Sequence, residues 1–229
     1  MKPIILADSR IPRQALKSLT NYGEVIEVFS NRIVYQGISG HPDIFFCRTG
    51  KGLIYAPNTP QYLIQKLTEK KVTLIPGRAK LEKKYPATAM YNALVSDRVI
   101  IHNPSVTDPG LAEMTVDLER IDVRQGYTRC NTVALNDNRF ITSDRGIESV
   151  LLQRGMDVLY VNPETVVLPG FPHGFFGGTC GIFDQTLFLI GSLDHFPESK
   201  KLKSFLKDEN IIELCGGPLF DGGSLIFLP

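Results

Sequence analysis

Short apolar runs alternate with polar turns along the chain, in a unit that recurs five times. Each unit predicts a strand, a polar turn, a second strand, a helix and a short third strand. The clearest copy predicts strands over residues 132–135, 139–142 and 157–161, with Ser143 as the N-cap of a helix over residues 147–154.

The other copies follow the same order. Three of them are continuous. One has strands over residues 43–47, 52–56 and 72–75 and a helix over 61–71, and the next has strands over 93–95, 99–101 and 121–123 and a helix over 108–120. The third has strands over 181–183, 186–190 and 211–214 and a helix over 198–207. The fifth copy is split between the two ends of the sequence, with its first strand over residues 224–228 and its second strand, helix and third strand over 4–6, 12–21 and 25–28.

The split copy favours a closed arrangement. A single unit of this kind cannot bury both its sheet face and its helix face, so stacking around an axis is the economical solution. Pairing of the C-terminal strand with the N-terminal strand would close the ring and remove an open sheet edge. The sequence therefore predicts one α/β domain over residues 1–229, a five-fold pseudosymmetric propeller of five ββαβ repeats.

Composition and charge narrow the function classes. The 229 residues include 25 Lys and Arg against 24 Asp and Glu, a formal net charge of +1, and 43% are hydrophobic. This globular composition excludes a disordered or fibrous chain and lacks the basic footprint of nucleic-acid or membrane binding. The apolar runs are far shorter than the ~20 residues that span a bilayer. Asp8 interrupts the opening apolar run too early for a signal peptide. We therefore expect a soluble cytoplasmic protein without a nucleic-acid or membrane partner, with an oligomer left open.

The cysteines and histidines form no spacing typical of a metal site. Cys47, Cys130, Cys180 and Cys215 include no CxxC pair, and the four histidines include no i,i+4 pair. We predict free thiols, no metal and no cofactor.

Residues 177–191 read Gly-Gly-Thr-Cys-Gly-Ile-Phe-Asp-Gln-Thr-Leu-Phe-Leu-Ile-Gly. This segment resembles the Gly-Gly-Asp repeat of arginine deiminases and amidinotransferases, guanidine-modifying enzymes of the pentein superfamily, and the chain is most similar to small uncharacterised bacterial members. The resemblance implies the five-fold α/β propeller. It also implies that working residues lie just before the first strand of each repeat, here in His41-Pro42-Asp43, Tyr91-Asn92, Thr128-Arg129-Cys130-Asn131, Gly177-Gly178-Thr179-Cys180 and Asp221-Gly222-Gly223-Ser224.

Two of these segments are similar to motifs of the family's active site. His41-Pro42-Asp43 is similar to its His-Leu-Asp segment, and Arg129-Cys130 to its Arg-Cys nucleophile segment. The resemblance implies Cys130 as nucleophile, with Cys180 as the alternative, and His41 as acid and base. It further implies substrate contacts from the residues Asp43, Asp221, Arg129, Asn92, Thr179 and His173. The partner would be a small guanidine or amidine.

The chain departs from the family pattern at two places. Thr179 follows Gly-Gly where the family has an acid, and the last repeat, where the family has its nucleophile, lacks a cysteine. Because of these two departures, other interpretations of the sequence remain open. Cys130 could be a small buried apolar residue at the start of a strand. The same ring also resembles translation initiation factor 6, which binds ribosomes and has no catalytic centre, so a non-catalytic binding scaffold is the alternative.

Overall fold

The computed structural model describes residues 2–207 and 209–229, and these form small sheets with short helices between them. In chain order the strands are β1 (Ile4–Asp8), β2 (Glu24–Val28), β3 (Phe46–Thr49), β4 (Gly52–Tyr55), β5 (Leu74–Pro76), β6 (Leu94–Val95), β7 (Val99–His102), β8 (Glu119–Asp122), β9 (Thr132–Ala134), β10 (Arg139–Thr142), β11 (Asp157–Tyr160), β12 (Cys180–Phe183), β13 (Thr186–Leu189), β14 (Asn210–Glu213) and β15 (Ile226–Leu228).

The helices are short, and two of them are single turns that lead into a strand. They are α1 (Arg13–Leu19), α2 (Pro42–Phe45), α3 (Gln61–Glu69), α4 (Pro109–Met114), α5 (Thr128–Asn131), α6 (Arg145–Gln153) and α7 (Ser199–Phe205). Residues Gly177–Thr179 form a 3-10 turn at the position equivalent to α2 and α5, directly before β12. Among the described helices, none is long and apolar enough to cross a membrane.

Each of the five predicted units corresponds to one three-stranded sheet of the described chain. The strand orders are β15-β1-β2, β3-β4-β5, β6-β7-β8, β9-β10-β11 and β12-β13-β14. The central strand pairs with the first strand as an antiparallel hairpin and with the third in parallel, so Ile141 faces Val133 on one side and Leu159 on the other. A helix connects the parallel pair, as such crossovers require.

The sheet built from the two ends of the sequence forms as the split repeat predicts. Strand β15 pairs antiparallel with β1, with Ile4 opposite Leu228 and Leu6 opposite Ile226. Strand β1 is also parallel to β2. Residues separated by almost the whole sequence therefore lie side by side.

Successive sheets contact one another at the starts of their first strands. The amide of Asp43 donates to the carbonyl of Gly223 at 3.2 Å, and that of Leu225 donates to Cys180 at 3.0 Å. The amide of Thr128 donates to the carbonyl of Asn92 at 3.0 Å. These contacts bring the segments that precede the first strands close to one another.

Three local predictions differ from the structure. The helix predicted over residues 108–120 ends at Met114, because residues 119–122 pair with β7 as strand β8. The N-cap of α6 is Asp144 and not Ser143, since the Asp144 carboxylate accepts the amide of Ile147. The strand predicted over residues 43–47 begins at Phe46, because Pro42 opens the helical turn α2.

Candidate active site

The predicted pre-strand segments place a group of polar side chains inside the protein. His41 precedes α2 as its N-cap residue and Asp43 stands in the first turn, while Cys130 lies in α5. His41 and Asp43 are 1% exposed and Cys130 is 4% exposed. Buried polar and charged groups are costly unless they are paired, so their partners define what the site can do.

The Cys130 thiol is held by two neighbouring segments. It donates to Asp43 Oδ2 at 3.0 Å and accepts from Asn92 Nδ2 at 3.2 Å. Asn92 also fixes the backbone here, because its Oδ1 accepts the Cys130 amide at 3.1 Å and its Nδ2 contacts the Asp43 carbonyl at 3.2 Å. Asn92 was predicted to contact substrate, and in the structure its side chain joins the segments that carry Cys130 and Asp43.

A serine from the segment before β15 completes the surroundings of Asp43. The Ser224 hydroxyl donates to Asp43 Oδ2 at 2.6 Å. Ser224 has a φ of +68°, which is unusual for a residue with a side chain and directs its hydroxyl into the cluster. The preceding Gly223 also has a positive φ, and a Cβ there would lie 2.1 Å from the Cβ of His41. Glycine at 223 therefore permits this close approach.

His41 lies between two buried carboxylates. Its Nε2 is 3.9 Å from Asp8 Oδ2, and its Nδ1 is 3.9 Å from Asp221 Oδ1. Arg10 Nε donates to Asp8 Oδ1 at 2.9 Å, and the Arg10 guanidinium also reaches the carbonyl of Gly37. Asp8 is thus held in place by an arginine that lies nearer the surface.

Asp221 is fixed by backbone amides. Its Oδ2 accepts the amide of Phe175 at 2.8 Å and its Oδ1 accepts the amide of Gly223 at 3.0 Å. A Cβ at Gly178 would lie 1.9 Å from Asp221 Oδ1, so only glycine leaves room for this carboxylate. The Gly-Gly pair of the sequence motif therefore makes space for an acid that comes from another repeat.

The electrostatics of the cluster favour a protonated thiol. Burial raises the pKa of Cys130 well above its ordinary value, and the charges of Asp43 and Asp221 raise it further. Burial also raises the pKa of Asp221, although the charge of His41 and two amide donors act in the opposite direction. A positive charge placed among these groups would lower both pKa values, because it stabilises the thiolate and the carboxylate.

The chain matches the model of DUF6873, a family of unknown function, over residues 6–226. It belongs to this family. No curated protein matches the chain significantly in sequence.

Solved structures similar to this DUF6873 protein include a DDAH, an amidinotransferase and an agmatine deiminase. DDAH from Pseudomonas aeruginosa, in complex with citrulline, is 10% identical with a TM-score of 0.57, over 93% of this chain and 92% of that one. The amidinotransferase SxtG from Microseira wollei is 10% identical with a TM-score of 0.56, over 99% and 94%. C. jejuni agmatine deiminase is 11% identical with a TM-score of 0.55, over 92% and 74%. At these identities the likeness shows the fold alone: the chain shares the mixed α/β fold of these enzymes.

Thr179, Cys180 and His173, which the sequence also predicts for the site, contact backbone carbonyls around the cluster. The Thr179 hydroxyl donates to the Phe176 carbonyl at 2.7 Å, and Cys180 Sγ lies 3.6 Å from the same carbonyl. Burial raises the pKa of Cys180 to about 12. His173 is half-buried and its Nδ1 lies 2.8 Å from the carbonyl of Gly174, in the loop that contacts Asp221.

Arg129 is adjacent to Cys130 in sequence, but its side chain extends towards the first strands. Its guanidinium contacts the carbonyls of Thr132, Gly177 and Cys180 at 3.3 to 3.4 Å. It lines a cavity of about 440 Å³ between these strands that also reaches Asp43. Arg129 therefore supports the junction between two repeats.

Sequence reasoning missed Asp8, Arg10 and Ser224 as members of the cluster. The sequence does mark Asp8, because it is an acid at the end of an otherwise apolar strand. In the structure Asp8 is 1% exposed. Arg10 follows it at a spacing that lets the guanidinium return to the carboxylate. Ser224 lies within one of the pre-strand segments, but only its backbone conformation reveals where its hydroxyl points.

Proposed function

We propose that the five sheets form a closed five-fold propeller and that this protein is a cysteine-dependent hydrolase or transferase acting on a small guanidine or amidine. Contacts at the starts of the first strands and the β15–β1 pair support the closed ring. One observation carries the function: the Cys130 thiol lies 3.0 Å from the Asp43 carboxylate, beside buried His41 and Asp221. Cys130 thus comes from one repeat, His41 and Asp43 from a second, and Asp221 from a third.

A planar cation suits this environment. Asp43 Oδ1 is buried and has no hydrogen-bond partner among the described residues, so it is free to accept an N–H group. Charge-assisted hydrogen bonds from an amidinium to a carboxylate are strong and directional. The bound cation would also lower the pKa of Cys130, so the thiolate would form when the substrate is present.

The proposed reaction has two covalent steps. The Cys130 thiolate attacks the central carbon of the guanidinium, and a C–N bond breaks as the departing amine takes a proton from His41. A water molecule, or a second amine in a transferase, then attacks the same carbon, gives a proton to His41 and releases the thiolate. His41 lies between Asp8 and Asp221, with one ring nitrogen 3.9 Å from each carboxylate.

The test uses an electrophile with and without the positive charge. The protein is incubated with chloroacetamidine or with neutral chloroacetamide, and labelled peptides are identified by mass spectrometry. We expect Cys130 to be labelled faster by the amidine, and Cys130→Ser to lose this labelling while Cys180→Ser keeps it. Equal rates with both reagents at Cys130 would reject the proposal, and selective labelling of Cys180 would move the nucleophile to that residue.

The burial of the cluster favours one second candidate, a non-catalytic binding scaffold. His41 and Asp43 are 1% exposed, and burial raises the pKa of the Cys130 thiol. A scaffold would hold these groups for stability alone. It predicts no amidine preference at any cysteine.

A further inference from the structure

We propose that the cavity between the first strands binds a small organic monoanion, a carboxylate with an apolar body, through Arg129 and Arg48. The cavity has a volume of about 440 Å³, and one strand from each of the five sheets lines it: β3, β6, β9, β12 and β15. The Cys130 thiol is not among its lining groups. The site therefore goes beyond the proposed function and does not depend on it.

Two arginines line this cavity without an acidic partner. The Arg129 guanidinium contacts three backbone carbonyls at 3.3 to 3.4 Å, and that of Arg48 donates to the Phe227 carbonyl at 3.0 Å. Neither forms an ion pair within the described part of the chain, whereas Arg78 and Arg154 each pair with a glutamate. Charge-assisted hydrogen bonds are typically about 2.7–2.9 Å long, so the longer carbonyl contacts of Arg129 leave its guanidinium able to bind an anion.

Two buried thiols that interact with the charge of Arg129 stay neutral. Burial raises the pKa of Cys47 to about 12 and that of Cys180 to about 12, although the charge of Arg129 lowers both. Both thiols are therefore protonated at neutral pH and supply no negative charge. Arg129 itself is half-buried, so salt screens its attraction for an anion less than at the open surface.

The walls of the cavity are mainly apolar. Their larger apolar side chains are those of Phe46, Val95, Val133, Leu135, Ile182 and Phe227. Small-molecule sites commonly combine such walls with a few polar groups that fix the orientation of the ligand. A planar guanidinium donates two parallel hydrogen bonds to a carboxylate. A carboxylate with an aliphatic or aromatic body therefore matches this cavity better than an inorganic anion does.

Three acids along the cavity limit the negative charge that a ligand can carry. Asp43 is one of them, and Asp97 and Asp137 lie in the turns that follow β6 and β9. The Asp137 carboxylate is held in place, because its Oδ1 accepts the Ser96 hydroxyl at 2.6 Å and the Arg98 amide at 3.2 Å. These charges repel anions, and the repulsion grows with each negative charge on the ligand. We therefore expect a monoanion and not a nucleotide or another polyanion.

Isothermal titration calorimetry with two pairs of compounds tests the role of the charge. Benzoate is compared with benzamide, and hexanoate with hexanamide, because each amide keeps the body of the acid and removes its charge. We expect one equivalent of each carboxylate to bind, at least about tenfold more tightly than its amide. Arg129→Gln and Arg48→Gln should each weaken carboxylate binding without changing amide binding. Arg124→Gln is the matched control, because Arg124 is exposed and does not line this cavity.

Nuclear magnetic resonance of isotope-labelled protein tests where the carboxylate binds. Benzoate should shift the amide signals of Val95, Leu135 and Ile182, which line the cavity. It should leave those of Asn103 and Ser149 unchanged, because these residues line a different cavity. Thermal unfolding shows whether Arg129→Gln keeps its fold. Arg48 is exposed, so Arg48→Gln tests the site even where Arg129→Gln does not fold.

Three results would overturn the site: no binding of either carboxylate, equal affinity for acid and amide, or full benzoate affinity in Arg48→Gln and in folded Arg129→Gln. Cys130→Ser should keep full benzoate affinity, because the thiol lies outside the cavity. Benzoate binding to a protein whose Cys130 shows no amidine preference would support the anion site and reject the proposed function. Selective amidine labelling of a protein that binds no carboxylate would do the reverse.

Discussion

The Cys130 thiol donates a hydrogen bond to Asp43 Oδ2 across 3.0 Å, although 87 positions separate the two residues in the sequence. The contact joins a nucleophile candidate to a carboxylate in a buried environment. Burial is the largest cause of the raised pKa of Cys130, and the charge of Asp43 raises this pKa further.

We expect Asp43→Asn to lower the apparent pKa of Cys130. Asparagine removes the negative charge while keeping a similar shape, so the thiolate is destabilised less, and burial remains as the main cause of the shift. The measurement is the rate of alkylation by neutral chloroacetamide as a function of pH, which should move to lower pH. The preference for chloroacetamidine should fall in the same variant. Asp184→Asn, in an exposed turn, is the control, and an unchanged profile in Asp43→Asn would contradict the expectation.

Asp221 should make stability fall as the pH rises. Burial raises the pKa of its carboxyl above 3.8, so the folded protein binds this proton more tightly than the unfolded chain. The stabilisation that this proton gives the folded protein is therefore lost as the pH rises from 3.8 through the raised pKa of folded Asp221. Urea unfolding at several pH values should show the wild-type protein losing free energy of unfolding relative to Asp221→Asn across this window. A constant difference, as expected for Asp184→Asn, would refute the shift.

His102 should have the opposite effect. Its Nε2 lies 2.8 Å from the carbonyl of Gly126 and 3.1 Å from that of Ala89, so Nε2 carries the hydrogen, and Nδ1 lies 2.8 Å from the Thr107 hydroxyl. Burial is the largest cause that lowers the pKa of His102 from 6.5 to about 4, although hydrogen bonds to these carbonyls raise it.

The unfolded chain therefore binds a proton between pH 6.5 and 4 that the folded protein resists, and stability is lost as the pH falls through this range. The loss attributable to His102 should be about 2–3 kcal/mol by pH 4.5, from 1.36 kcal/mol per pKa unit. It is measured as the difference in unfolding free energy between wild type and His102→Gln at pH 7.5 and 4.5. His195→Gln, at an exposed histidine, should leave the pH dependence unaltered.

Gly178→Ala should displace Asp221 and weaken the selective labelling of Cys130. The added Cβ would lie 1.9 Å from Asp221 Oδ1, so the carboxylate must move away from its backbone donors. Overpacking of this kind typically costs about 1–3 kcal/mol of stability. Thermal unfolding and the amidine labelling rate are the measurements. Gly50→Ala is the control, because a Cβ at Gly50 meets no atom within 4 Å, and equal behaviour of the two variants would contradict the expected displacement.

Much of the fold was predictable because each repeat has its own local pattern of apolar runs and polar turns. The alternation of apolar runs and turns predicted the hairpins, and β9, β10 and α6 lie within three residues of their predicted bounds. The pre-strand turn α2 was missed because the consecutive apolar residues Ile44 and Phe45 fit a strand equally well. The helix predicted over residues 108–120 was too long, because residues near its C-terminal end, such as Arg120, pair with β7 as part of strand β8.

The candidate site was predictable only in part. The resemblance indicated His41, Asp43, Cys130 and Asp221, and the structure brings these four into one buried cluster. The roles of Asn92 and Arg129 depend on side-chain directions, which spacing in sequence does not determine. Asp8 was missed because its relation to His41 arises from contacts between repeats and not from a motif.

The pairing of β15 with β1 also affects the order in which contacts form as the chain is synthesised and folds. During synthesis Cys130 and its neighbour Asp43 are complete well before Asp221 and Ser224 are added, and β1 waits for residues 226–228 to pair with it. Because these contacts span almost the whole sequence, they form late in folding and close a large loop. Until then Asp43 lacks the hydroxyl of Ser224, so the newly made chain acquires its completed cluster only when its last strand docks.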